Sequence, residues 1–273
     1  MNIEKEPFES AKKPLILVTN DDGITSLGIR TLVELMQTLG EVVVVAPNSP
    51  QSGMGHAITI GEPLRLYSTE LFADVDEYEC SGTPADCVKL AKHYVLKDRA
   101  PDLVVSGINH GSNSSISVLY SGTMSAAIEA AIEGIPAIGF SLCDYREKAT
   151  FDHVKEFVVS ITKAALENGI PKGVALNVNL PAESESPIQG VKVCRQANAK
   201  WQEKFDYRKD PYGRGYLWMA GDFVNFDADK EDTDEWALSQ NYISVVPCQY
   251  DLTAYTAFES MAAWNLNPVE MVK

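Results

Sequence analysis

Positive charge is scarce in this chain. Its 273 residues carry 23 Lys and Arg against 38 Asp and Glu, a formal net charge of −15. Nothing supplies the basic stripe that a nucleic-acid polymer or an anionic membrane surface requires, so neither is expected as a partner. An anionic substrate must be held by a local device, such as a metal or a helix N-terminus. Long apolar runs are missing too, since none reaches the roughly 18 residues of a membrane-spanning helix. The opening MNIEKEPFESAKK lacks the apolar core of a signal peptide, so residues 1–13 read as a disordered lead-in and a cytoplasmic location is expected. Cysteine is sparse: Cys80, Cys87, Cys143, Cys194 and Cys248 are odd in number and form no CxxC pair. That suits reduced thiols better than a disulfide framework or a zinc site. Repeats and low-complexity tracts are also lacking.

What is present is ordinary for a chain that buries a full core, with 45% hydrophobic and 22% charged residues. The first half alternates short apolar runs with helical patterns, which predicts βαβ units and a mostly parallel, Rossmann-like α/β sheet. Leu15–Thr19, Val42–Ala46 and Leu103–Ser106 read as central strands, and PAIGFSL opens another. Thr25–Leu39, Thr123–Glu133 and Phe151–Glu167 read as helices. We expect a catalytic domain over 14–190 and a β-rich extension over 191–273 whose last segment returns to the core. KFDYRKDPYGRGYLWMAGDFV reads as two strands around a Pro/Gly turn. A hairpin this polar and aromatic is read as an arm packing on a neighbouring subunit, with a covering appendage within one chain as the alternative.

Ligands of open α/β sheets bind beyond the carboxyl ends of the strands, at the topological switch point. Three loops leave such ends with oxygen donors. Asn20-Asp21-Asp22 ends the first strand, NSPQSGMGH with Ser52 follows VVVVAP, and SGINHGSN with Asn109 and Asn113 follows PDLVV. Asp21 and Asp22 alone would pass for a solvated turn, because Asp-Gly is a common turn dipeptide. Two carboxylates with a hydroxyl and an amide oxygen, on one sheet edge, suit Mg²⁺ or Mn²⁺. A fourth element, YSGTMSAAIEAAIEG, puts Ser121, Gly122 and Thr123 at a helix entry, where free N–H groups and the positive dipole end favour a phosphate. The plainer role for Ser121 or Thr123 is an N-cap. His56 and His110, in two of the loops, are candidates to donate a proton or touch a phosphate.

Two covalent mechanisms are disfavoured. Haloacid-dehalogenase-like phosphatases place a nucleophilic aspartate two positions before the second acid, where this chain has Asn20, and an amide cannot form the aspartyl phosphate. Response-regulator receivers end a PDLVxxD strand on a phospho-accepting aspartate, where this chain has Gly107. Direct attack by water, activated by a metal or by an aspartate, is what remains.

LILVTNDDGI, VVAPNSPQSG, SGINHGSN and YSGTMSAAIEAAIEGIPAIGFS together resemble the stationary-phase survival protein SurE family of nucleoside-monophosphate phosphatases. The likeness extends through LNVNLP, DPYGRGYLW, Thr233-Asp234 and YISVVPCQYDLTAY, and so covers nearly the whole chain. The resemblance implies one divalent cation per subunit on Asp21, Asp22, Ser52 and Asn109, with Asp21 and Asp22 catalytic. It implies phosphate contacts at Asn113 and Ser121-Gly122-Thr123. It further implies hydrolysis of nucleoside 5′- and also 3′-monophosphates, and a β-rich extension exchanged within a homodimer or homotetramer. The tract NSSISVL before YSGT departs from the family, so substrate contacts there do not transfer. Alternatives that share the site are a nucleotide-sensing protein without turnover and a phosphatase of short-chain polyphosphate or sugar phosphates.

Overall fold

The apolar runs of the first half fold as parallel strands because each is bounded by a turn and followed by a helix that covers it. The computed structural model describes residues 13–146 and 149–264, so all of the expected lead-in except Lys13 lies outside the described residues. Leu15–Thr19 (β1) is buried throughout and leads into helix α1, Leu27–Gln37. Glu41–Pro47 (β2) returns parallel to β1, with Leu15 opposite Glu41. Leu66–Ser68 (β3) and Asp76–Cys80 (β4) extend that edge, before helix α2, Pro84–Leu90. Leu103–His110 (β5) pairs on the other side of β1, so the sheet order reverses between β2 and β5. Helix α3 (Gly122–Ile132), β6 (Ala137–Leu142), α4 (Lys155–Asn168) and β7 (Val174–Leu180) continue outward.

The result is a nine-stranded sheet of order β3-β4-β2-β1-β5-β6-β7-β11-β8, where β8 is Val191–Val193 and β11 is Ile243–Gln249. It is mostly parallel; β3 on β4 and β11 on β7 are antiparallel. Side chains alternate across a strand, so Ile16 and Val18 feed the core under α1 and α4, while Leu15 and Leu17 feed the one under α2 and α3. Both faces of β1 are therefore dry, and the first residue after it that is more than marginally exposed is Asp22.

Several segments differ from their expected bounds. Strand β2 and helix α3 differ by a residue at their ends, and α4 begins at Lys155 after a 3₁₀ turn over Asp152–Val154. Two further differences have local reasons. Helix α1 begins at Leu27, not Thr25, because Ser26 caps it. Strand β5 runs to His110 instead of stopping at Ser106, because its pairing with β6 shifts register between Ser106 and Asn109 and then resumes. Gly107, at φ 131°, sits in that bulge, and a Cβ there would stand 2.4 Å from the Phe140 carbonyl oxygen.

The extension contributes β8 and β11 to the main sheet and also a separate hairpin. Its strands Ala199–Lys209 (β9) and Gly215–Asn225 (β10) pair antiparallel from Ala199–Asn225 to Lys209–Gly215. Helix α5 (Asp234–Ser239) follows. The buried Asp234 carboxylate accepts the N–H groups of Ser115 and Ala197 at 2.8 and 2.9 Å, tying the root of the hairpin to the segment before α3.

Candidate active site at the switch point

Strand β1 ends on Thr19, and the turn that follows is built by its own side chains. Asn20 is buried and donates Nδ2 to the Gly23 carbonyl (3.0 Å) and to Ser26 Oγ (2.9 Å). It shapes the turn and closes it onto α1. Asp21 is buried, with 5% exposure, and its Oδ1 accepts the Thr123 hydroxyl at 2.6 Å. Burial pushes its carboxyl up to about 6; the Thr123 hydrogen bond opposes that rise and the neighbouring Asp22 charge adds to it. Gly122 lets α3 come this close, since a Cβ there would stand 2.6 Å from Asp21 Cβ and 2.8 Å from Oδ2. The acid pair and the helix entry are thus in direct contact.

The other two loops join the same edge through backbone bonds. The Gln51 N–H donates to the Asp21 carbonyl at 2.7 Å, which brings the adjacent Ser52 to the β1 terminus. The His110 N–H donates to Asp22 Oδ2 at 3.3 Å, which does the same for Asn109. The Asn109 amide Nδ2 is spent on the Gly111 carbonyl at 2.8 Å, so Oδ1 is its available oxygen.

The proposed phosphate contacts divide into side chains already engaged and backbone at the entry of α3. Ser121 is the N-cap of α3, its Oγ accepting from Met124 N at 3.0 Å. The Thr123 hydroxyl is on Asp21. Asn113 is buried and fixed on three sides: its Nδ2 donates to Ser141 Oγ (2.8 Å), its N–H to Asn179 Oδ1 (2.8 Å), and its carbonyl accepts from Asn177 (2.9 Å). The first-turn N–H groups of Gly122 and Thr123 have no intrahelical acceptor. That of Thr123 is directed toward the Asp21 carboxylate, and a helix entry of this kind can hold an anion.

The donor set fits a hard divalent cation. Among the described residues no lysine or arginine pairs with Asp21 or Asp22, and the nearest cationic candidate is His110 Nδ1, 3.8 Å from Asp22 Oδ2. Two adjacent carboxylates, one of them buried, lack a neutralising charge that a cation would provide. No group of three or more His, Cys, Asp or Glu stands together among the described residues, as expected where the other donors are a serine and an asparagine.

Sequence patterns missed the supports of this site. His56 turns away to Glu129 on α3, its Nε2 2.8 Å from Oε2, and Lys89 of α2 reaches the other oxygen at 2.5 Å. Asn177 and Asn179 of β7, alternate residues on one face, hold Asn113. Ser114 donates to Glu235 beside the Asp234 clamp. These partners lie 40 to 121 residues apart, and only LNVNLP, with asparagines facing one way on a buried strand, left a trace.

Fold and site together define a Rossmann-like α/β protein with paired carboxylates and a helix N-terminus at its switch point. The chain belongs to the survival protein SurE family, whose family model matches residues 16–203. It is 72% identical to the 5′-nucleotidase SurE of Cytophaga hutchinsonii over 89% of this chain and 93% of that one. It is 62% identical to the 5′-nucleotidase SurE of Christiangramia forsetii over 94% of this chain and 98% of that one. Among solved structures, the SurE protein from Aquifex aeolicus matches with a TM-score of 0.78 and 42% identity, covering 91% of this chain and 98% of that one.

Proposed function

We propose that this chain is a metal-dependent 5′-nucleotidase, a phosphoric monoester hydrolase that cleaves nucleoside 5′-monophosphates, and 3′-monophosphates by the same chemistry. The contact between the Asp21-Asp22 pair and the α3 N-terminus carries the reading, because it sets a cation site beside an anion cradle with only Gly122 between them. The names of the relatives support it.

Asp21, Asp22, Ser52 Oγ and Asn109 Oδ1 would hold one Mg²⁺ or Mn²⁺, which supplies Lewis-acid stabilisation of phosphoryl charge. The N–H groups of Gly122 and Thr123 hold further phosphate oxygens, and the α3 dipole favours the charge that grows on them. Thr123 fixes the Asp21 carboxylate by donating to Oδ1, which leaves Oδ2 free to orient or deprotonate the attacking water. Asn20 is locked into its turn and carries no carboxylate, so no aspartyl phosphate forms on β1. Water attacks phosphorus directly, the ester oxygen departs with a proton, and nucleoside and phosphate are released.

The hairpin supports a homodimer or homotetramer. Tyr216 and Trp218 are exposed on the hairpin face opposite Trp201, and Tyr212 is exposed at its turn; such a two-stranded hairpin is at best marginal alone. An arm exchanged between subunits buries them. No helix among the described residues is long and apolar enough to cross a membrane, and we assign the enzyme to the cytoplasm. Phosphate release from a panel of 5′- and 3′-nucleotides, pyrophosphate and sugar phosphates tests the substrate class. Turnover of 5′-nucleotides is expected, and silence on every nucleotide would refute the reading.

A further inference from the structure

A second recess opens beside the phosphate cradle. It has a volume of about 510 Å³ and is lined by Gly53, Tyr120, Trp201, Glu203, Met219 and Gly221. That volume falls within the range of small-molecule sites. Its position is fixed by sequence neighbours of the site: Gly53 follows Ser52, and Tyr120 precedes the Ser121 cap. The Gly55 N–H donates to the Tyr120 carbonyl at 3.2 Å, which ties the two walls together. The remaining walls come from the root of the hairpin. A cavity of similar size lies between α3 and β11, lined by Ile128, Val246 and Cys248. Neither cavity is lined by the acid pair, and the recess at Trp201 is the one whose walls include the immediate neighbours of Ser52 and Ser121.

The hairpin face toward this recess has an unusual profile. Residues alternate across a strand, so Trp201, Glu203 and Phe205 of β9 share one face. Their cross-strand partners are Phe223, Gly221 and Met219. Bulky side chains therefore flank a notch where Gly221 stands opposite Glu203. The Trp201 indole is held edge-on by Phe223, with ring centroids 5.5 Å apart at 63°, and it is 43% exposed. Tyr120 is 59% exposed on the other wall. Two accessible aromatic rings, one carboxylate and a missing side chain make a slot for a flat heterocycle that bears hydrogen-bond donors.

We infer that this slot binds the nucleobase, with Trp201 and Tyr120 as stacking surfaces and Glu203 as the acceptor that selects amino-bearing purines. The inference rests on the nucleotidase reading above and extends it to base preference. Guanine presents a ring N–H and an amino group side by side, which two carboxylate oxygens match. Adenine presents one amino group on that edge, and uracil sets its single N–H between two carbonyls that repel the carboxylate. The order is GMP, then AMP, then UMP. Because the phosphate stays on the α3 cradle, the slot governs how the substrate is held and leaves the chemistry at phosphorus to the acid pair.

Two measurements separate this inference from the function it rests on. Guanosine, which has no phosphate, should quench tryptophan fluorescence of the wild-type protein, and Trp201→Phe should remove most of that quenching. In turnover, the ratio of kcat/KM for GMP to that for ribose 5-phosphate should fall at least tenfold in Trp201→Ala and recover largely in Trp201→Phe. Glu203→Gln should erode the GMP-over-UMP preference several-fold. The slot is refuted if guanosine leaves the fluorescence unchanged. It is equally refuted if folded Trp201→Ala keeps the wild-type ratio, including the case in which that variant alters only the association state. Wild-type protein that quenches with guanosine but hydrolyses no phosphate ester would sustain the slot and refute the nucleotidase reading.

Discussion

Asp21 concentrates the electrostatics of the site in one residue. It is buried beside a second carboxylate, with its pKa raised to about 6, and one hydroxyl fixes its orientation. In the proposed function Thr123 supports the carboxylate that would hold the metal. Loss of such outer partners typically costs roughly 10- to 100-fold in metal affinity or activity. Thr123→Ala should weaken Mn²⁺ binding in a calorimetric titration and lower turnover together by that order, and unchanged Mn²⁺ affinity would contradict the role. The acid pair was legible in the sequence as two charges at the end of an apolar strand. The Thr123 contact was not, because it spans 102 residues and needs the bare Cα of Gly122 to close. The hydroxyls of Ser121 and Thr123, read from sequence as phosphate contacts, are engaged in this structure with the helix cap and the Asp21 carboxylate.

At the scale of elements, α3 is the hub. Its first turn touches Asp21, and two turns later Glu129 holds His56 of the Ser52-bearing loop and Lys89 of α2. The Ser52 loop and α3 are thereby kept in register by one side chain. Burial alone would raise the Glu129 carboxyl, but the hydrogen bonds from His56 and Lys89 outweigh it and hold it below its ordinary 4.5. A carboxylate lowered on folding stabilises the native state above its unfolded pKa, and that contribution fades as pH falls through the folded value. Wild-type Tm should accordingly drop more steeply below about pH 4.5 than that of Glu129→Gln, followed by circular dichroism. Parallel slopes would remove Glu129 from the account. Strands and helices of this half followed from apolar periodicity, since each lies in one sheet with both faces covered. The bulge that carries β5 on to Asn109 did not, because it is a response to the Phe140 backbone and not to local composition.

The whole molecule combines a nine-stranded sheet with a hairpin to which we assign both a substrate and a partner role. The root of the hairpin lines a recess with Gly53 and Tyr120, while its tip carries exposed aromatics around Tyr212 and Trp218. Deleting the tip, residues 206–218, should convert the oligomer to monomer in sedimentation velocity, and a wild-type protein that is already monomeric would remove the exchanged arm. The polar, aromatic texture of this segment announced a surface with work to do, but its pairing with a recess beside Tyr120 required the three-dimensional fold. The central claim is that Asp21 and Asp22 hold a divalent cation for direct hydrolysis of a nucleotide. Its most direct test is phosphate release from AMP by EDTA-treated protein during back-titration with Mn²⁺. Activity should be absent after chelation, return saturably with Mn²⁺, and fail to return in Asp22→Asn at the same concentrations. Full turnover by metal-free protein, or by Asp22→Asn without added metal, would contradict it.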